Sequence, residues 1–264
     1  LLNIDKLSKG FDFFDIDNIQ YNPSSSYISF CVDFVGNRNF YFFIKDIINN
    51  TIKYYDLNLS KNERFTSIHN LLSDTNNTEI QMNSNYYWVD NSTILYISYN
   101  RYFNDTNCYV YNIDNKSRRL IYKEKNNRML GLSNTTSNYY FILHSTTYSD
   151  DKIFILDIDE NKLNSNHKKI ILNDEPVLNS KPFVKYVYID HIDGIWYVLK
   201  KVKFHYYFYK STNLKYFELL LHYSNPYETI TSTIHVLNNF VFIIQVKDTY
   251  KIEIYNICKN KIIQ

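Results

Sequence analysis

Alanine is missing altogether from these 264 residues. Because alanine is the best helix former, its absence removes the usual filler of helix interiors. Glycine is nearly as scarce, with only Gly10, Gly36, Gly131 and Gly194. No two of them stand four residues apart, so the strained Gly-x-Ser-x-Gly turn that presents a serine nucleophile is excluded. Glycine-rich loops that cradle phosphate are excluded with it. Cys31, Cys108 and Cys258 are odd in number and far apart, which gives no disulfide framework. Neither Cys-x-x-Cys, His-x-x-x-His nor His-Glu-x-x-His occurs, so no zinc motif can be read. No apolar run approaches the ~20 residues of a membrane span, and no signal peptide is visible. A formal charge of +2 supplies no pull toward nucleic acid or a polyanionic surface. These absences leave no catalytic, cofactor-binding or metal-binding residue to name. They make a reducing, cytoplasmic compartment the default, with neither nucleic acid nor membrane as partner. A start at Leu1 fits a piece of something longer.

What the chain has instead is aromatic and β-branched: 27 tyrosines and 18 phenylalanines, with abundant isoleucine. Such side chains suit pleated, packed surfaces, so the bias is toward sheet. With few glycines, turns fall to Asn, Asp and Ser, which tolerate positive φ and bond to their own backbone. The excess of Asn, Lys, Ile and Tyr also matches an AT-rich coding bias, as do sequons such as Asn134-Thr135-Thr136.

A sheet-forming unit, apolar on both faces, recurs five times. Its middle runs begin at Tyr41, Tyr109, Ile153, Tyr206 and Ile252, spaced by 68, 44, 53 and 46 residues. An all-strand period of roughly 40–50 residues marks β-propeller blades, each buried between its neighbours. The fold class is therefore all-β, a propeller of four-stranded antiparallel blades, with about five blades present near 19–57, 80–124, 129–173, 183–222 and 230–264. Residues 58–79 read as a polar connector with a short helix near Ile68 to Leu72, which accounts for the long first spacing. The turns between first and second strands include Asn22 to Ser26, Asp90 to Ser92, Asp190 to Gly194 and Leu237 to Asn239.

Few constellations could carry chemistry. His191 with Asp190 and Asp193 is the densest polar cluster, and reads first as an Asp-rich turn. Asp90 and Asp193 could pair across a funnel as glycosidase carboxylates; Ser25, Ser137-Asn138 and Asn238-Asn239 occupy the equivalent places elsewhere, so turn formation is the preferred reading. Lys200, Lys201 and Lys203 interleave with Phe204, Tyr206 and Tyr207 in the manner of an RNA platform, but read more simply as an exposed strand pair. Trp88 and Trp196 read as packing residues between blades.

Several segments carry a resemblance. Leu7-Ser8-Lys9-Gly10-Phe11-Asp12-Phe13-Phe14 is similar to the stretch leading into the propeller of oligopeptidase B-like proteins, in the prolyl oligopeptidase group of serine peptidases. Asn22-Pro23-Ser24, Val32-Asp33-Phe34-Val35-Gly36 and Ile44-Lys45-Asp46 follow the family's order. Trp88-Val89-Asp90-Asn91-Ser92 and Leu120-Ile121-Tyr122-Lys123-Glu124-Lys125 match best, and Thr136 to Tyr139, Ser145-Thr146 and Leu156-Asp157 continue it. The match departs at Asn37 to Asn39, where the family carries Glu, and after Lys200. The resemblance implies a seven-bladed propeller cut about two blades short. It also implies that the propeller admits short peptides to an α/β-hydrolase domain of the same polypeptide. The triad would lie in that domain, outside this chain, so no catalytic residue transfers. Two rivals stand beside this: a protein-interaction scaffold from an inactive homologue, and a carbohydrate-active five-bladed propeller.

Overall fold

The structure, a computed structural model, describes residues 2–55, 80–100, 106–124, 128–159, 169–172, 176–181 and 183–263. The connector expected over 58–79, its short helix, and Lys125 lie outside them. Five antiparallel sheets follow one another along the chain, each in sequence order. The first holds β1 (Asp15–Tyr21), β2 (Tyr27–Asp33), β3 (Tyr41–Asp46) and β4 (Thr51–Tyr55). The second holds β5 (Ile80–Trp88), β6 (Thr93–Asn100), β7 (Thr106–Asn112) and β8 (Ser117–Lys123). The third holds β9 (Met129–Asn134), β10 (Tyr140–Thr146), β11 (Asp151–Asp159) and β12 (Lys169–Leu172), and adds a short β13 (Leu178–Asn179) beside β11. The fourth holds β14 (Val184–Ile192), β15 (Ile195–Val202), β16 (His205–Ser211) and β17 (Glu218–Ser224). The fifth holds β18 (Glu228–Val236), β19 (Asn239–Val246), β20 (Thr249–Asn256) and β21 (Lys261–Ile262). The sheets are the blades of a propeller.

Hairpin turns show how a glycine-poor chain reverses direction. Ser25, Asn50, Asn138, Asp193 and Asn260 take positive φ, as their side chains allow. Lys116, Lys203, Leu237 and Lys247 do so as well, without that excuse. A residue with φ > 0 matches the right-handed twist of the strands it joins, so strand pairing on either side holds it there. Where the sequence reading extends a turn over Asp190 to Gly194, β14 instead runs on to Ile192. Only Asp193 and Gly194 turn, at φ 48° and 80°.

The apolar double-faced strands are explained by seams between neighbouring blades. Phe42 and Ile44 meet Tyr86, Ile94, Tyr96 and Tyr111 between blades one and two. Leu95, Ile97 and Cys108 meet Leu130, Phe141, Leu143 and Phe154 between blades two and three. Ile142, Ile153 and Ile155 meet Ile189, Trp196 and Val198 between three and four. Tyr197, Tyr206 and Phe208 meet Phe240, Phe242, Ile244 and Tyr255 between four and five. Trp88 and Trp196 are thus packing residues, in the first and third of these seams. Trp88 also gives its indole N–H to Ser29 Oγ (2.7 Å), which accepts a second bond from Tyr86 (2.9 Å).

A helix that the sequence reading does not include, α1 (Ile4–Ser8), is capped by Asn3, whose side chain accepts the Lys6 N–H at 2.8 Å. It belongs to a segment whose Leu2, Leu7, Phe11 and Phe14 pack on the outer face of blade one.

Candidate functional site

The two ends of the blades differ in chemistry. At one end lie the tight turns between first and second strands, and their polar side chains close turns or tie blades together. Asp90 accepts the Ser92 N–H (2.8 Å), and Asn91 accepts the Ser24 N–H of blade one (2.8 Å). Asp190 is buried and accepts from both the Thr136 N–H (2.7 Å) and hydroxyl (2.6 Å) in blade three. It also takes the Tyr188 hydroxyl (2.8 Å). Burial, with that carboxylate close by, pushes the Tyr188 phenol well up. His191 is buried too, its Nδ1 2.9 Å from Ser137 Oγ. Burial lowers its pKa against the opposing pull of Asp190 and Asp193. The Asp190–His191 cluster is thus a clasp between blades. Asp193 stands in its two-residue turn, apart from the clasp's hydrogen bonds.

At the other end, where the chain comes in to β1, a cavity of about 460 Å³ opens between blades one and two. Asp15, Asp17, Asp33 and Arg38 line it, with Phe13, Phe40 and Tyr99 as apolar walls. Asp33 is buried at the end of β2 and accepts N–H bonds from Val35 (3.0 Å), Gly36 (2.9 Å) and Arg38 (2.7 Å). Those three bonds fold the loop back over the cavity. Gly36 sits there at φ +77°, with the Phe13 ring 3.5 Å from where a Cβ would stand, a conformation costly to any other residue. The Tyr99 hydroxyl donates to the Arg38 carbonyl. Burial, with the charge of Asp33, raises the Tyr99 phenol to about 12.

Beside the cavity, Thr106 donates to the Arg128 carbonyl (2.8 Å), and the Arg128 side chain begins a buried ionic chain. Its Nε donates to Ser145 Oγ (2.7 Å), one Nη to the Ser145 carbonyl (2.7 Å), and the other pairs with Asp150. The Ser145 hydroxyl in turn donates to buried Glu124 (2.6 Å). Lys185 of blade four pairs with Asp151 (2.9 Å), whose other oxygen takes the Tyr186 N–H (2.9 Å). This chain joins blades two, three and four at one end.

The cavity brings carboxylates, a guanidinium and aromatic walls together, and none of its lining residues is a histidine or a cysteine. Cys31 and Cys108 are buried thiols whose pKa burial raises, which makes them inert. The arrangement suits holding a polar ligand. Among the described residues no group of three or more His, Cys, Asp and Glu is placed to hold a metal. No helix among them is long and apolar enough to cross a membrane. Lys201 lies over the ring of Tyr206 (5.1 Å), but that ring is buried in a seam, so the basic stretch offers no stacking platform there. Sequence reasoning names no residue of this cavity as a site: Asp33, Gly36 and Arg38 enter it only as positions that follow or depart from the family pattern, and Asp15, Asp17 and Arg128 do not enter it as site residues at all. These carry no motif and meet only through the stacking of sheets.

No protein-family model matches the chain, and no curated protein does either. Solved structures do. Oligopeptidase B from Leishmania major superposes with TM-score 0.72 at 12% identity, over 97% of this chain and 33% of its own. Oligopeptidase B from Trypanosoma brucei, with covalently bound antipain in a closed form, gives 0.69 at 14%, over 99% and 34%. Prolyl oligopeptidase B from Galerina marginata, bound to a 35mer substrate, gives 0.65 at 11%, over 95% and 35%. The chain therefore spans about a third of the length of these structures, and it has the fold of their β-propeller region.

Proposed function

We propose that this chain is the non-catalytic propeller of a serine oligopeptidase, gating the access of short peptides to an α/β-hydrolase domain carried by the same polypeptide. The observation that carries the reading is the superposition with oligopeptidase B over 97% of the chain at TM-score 0.72. The absence of a nucleophile elbow supports a division of labour in which the chemistry, acyl transfer to serine and then to water, lies elsewhere. In this reading selectivity comes from size exclusion and from domain opening, a gating role. About two further blades complete the ring. Blade five supports that, because its outward face carries Ile234 and Ile254 in one cross-strand row and Ile243 with Ile252 in the next, and no sheet among the described residues covers them. The cavity lies at the end where Phe13 leads into β1, and in this reading that end faces the hydrolase domain. The compartment proposed is the cytoplasm.

The test uses a serine-directed fluorophosphonate probe. The native polypeptide containing this sequence is expected to be labelled and the isolated 264-residue chain to remain unlabelled. Labelling of the isolated chain overturns the proposal. A native polypeptide that carries a hydrolase domain but takes no label supports the scaffold reading instead.

A further inference from the structure

Blade four carries a second chemistry, remote from the cavity lining. His205 opens β16 and His222 lies in β17, the two outermost strands of that sheet. In the register, Tyr207 stands opposite His222 and His205 opposite Ser224, so the two histidines are diagonal neighbours on one face. Long side chains at such positions reach each other. Here His205 Nδ1 and His222 Nε2 are 3.3 Å apart. Both rings are held by aromatic neighbours. Tyr207 stacks on His222 at 4.6 Å and 5°, and Phe204 lies 4.2 Å from His205. His222 is exposed and His205 half-buried, so the pair is open to solvent.

The separation has a chemical meaning. Two imidazole nitrogens bound at about 2.0–2.1 Å to one tetrahedral ion stand about 3.3–3.4 Å apart. The pair already has that spacing, with the rings fixed by stacking before any ion arrives, so little ordering cost remains. We propose that His205 and His222 form a two-histidine site for a divalent transition-metal ion of the zinc, copper or nickel class. Imidazole suits these ions, whereas Mg²⁺ and Ca²⁺ take oxygen ligands. Binding requires the His205 tautomer with its proton on Nε2 and the His222 tautomer with its proton on Nδ1. In a neutral pair the nitrogen that donates the hydrogen bond between the rings gives up its proton to the other nitrogen of its own ring, so one proton shifts within one ring and none is released. Two protein ligands leave coordination positions open to water or an anion. Lys200, the register partner of Tyr207, stands one strand further in on the same face and favours the anion. The site is therefore a surface chelate with an exchangeable third ligand.

The remaining described histidines do not compete as pairs. His144 is half-buried beside Ser133, His191 is in the clasp, and His235 packs on Phe240. Titration of the full chain with Zn²⁺ by calorimetry should reveal one site that H205N and H222N each weaken about a hundredfold, since the second nitrogen acts at high effective concentration. Mg²⁺ should give no heat at that site. On the wild-type chain, Zn²⁺ should protect both His205 and His222 from diethylpyrocarbonate, read by peptide mass spectrometry, and a chelator should reverse this. Unchanged Zn²⁺ binding in both variants, no stoichiometric binding, or protection at neither ring overturns the proposal.

Discussion

The outer faces of blades one and five are built alike and finished differently. Blade one presents Ile28, Phe30, Val32, Phe34 and Phe43, and all five are buried, because the segment leading into β1 folds across them. Phe11 lies 4.7 Å and Phe14 5.6 Å from Phe34, as rings meeting at angles. Blade five presents Ile234, Val241 and Ile254 in one cross-strand row and Ile243 with Ile252 in the next. Its Ile234 is 46% and its Ile252 59% exposed. The same kind of residue thus has two fates, decided by what the chain lays over it. An apolar sheet face is stable in water only when something excludes the water, and a dozen residues of helix and loop suffice on blade one. On blade five the matching cover is a further sheet, in the proposal above.

The largest effect should come from breaking the covered face. Phe34→Ala removes a ring clasped by Phe11, Phe14, Tyr41 and Phe43. Truncating a buried phenylalanine costs about 3–5 kcal/mol, so the urea midpoint should fall steeply. Next is the double change Phe11→Ser with Phe14→Ser, which leaves the sheet intact and strips its cover. With each ring only half-buried, the expected loss is about 2–3 kcal/mol. Blade one should then behave like blade five, binding a hydrophobic dye at the newly bared face. Unaltered dye binding would show that the segment is ornamental and that the two faces differ for another reason.

A smaller effect separates seams from faces through pH. His144 is half-buried, and the loss of solvent around it holds its pKa below the usual 6.5 despite the charge of Asp151. The unfolded chain therefore takes up a proton at higher pH than the folded one. Stability from this group is full above the unfolded value and is lost as pH falls through it, levelling off below the folded value. His191 shifts in the same direction. Denaturation midpoints should drop between pH 7 and pH 5, and His144→Gln should flatten part of that slope; an unchanged slope would remove His144 from the account.

These contrasts mark how far the sequence could be read. The propeller is legible because recurrence of doubly apolar runs is a local signal repeated along the chain, and sheets stacked face on face are its simplest solution. The two-residue β13 is not legible, because Leu178 pairs with Ile153 across a stretch of chain that gives no strand period. The register shifts in β1, β5, β14 and β18 are hidden for a related reason: a bulge changes pairing without changing composition. The cavity is the least legible feature. Asp15, Arg38, Tyr99 and Met129 line one space only after two blades and the start of a third have stacked. The segment leading into β1 is a partial case. The stretch Leu7 to Phe14 is visible as a lead-in, but that Phe11 and Phe14 cover Phe34 follows from the bend after α1, which the sequence does not announce.

The smallest change in stability should carry the clearest message about the uncovered face. Ile243 and Ile252 are direct register partners on the outer side of blade five, and the inner side of the same strands holds Phe242 and Ile244 in the seam with blade four. Replacing Ile252 by Lys leaves that seam untouched and puts a solvated charge where no sheet of the described residues lies, so the isolated chain should change by no more than about 1 kcal/mol. Self-association is a different matter. An exposed apolar face invites pairing with another copy, and one lysine in its middle should make a concentration-dependent rise in sedimentation coefficient disappear. In the longer polypeptide proposed above, the same substitution should be severely destabilising, because the lysine would then be buried against a sixth blade without a partner, at a cost of several kcal/mol. Equal tolerance of Ile252→Lys in the short and the long chain would mean that no sheet ever covers blade five, and the two outer faces would then differ by design and not by the length of chain in hand.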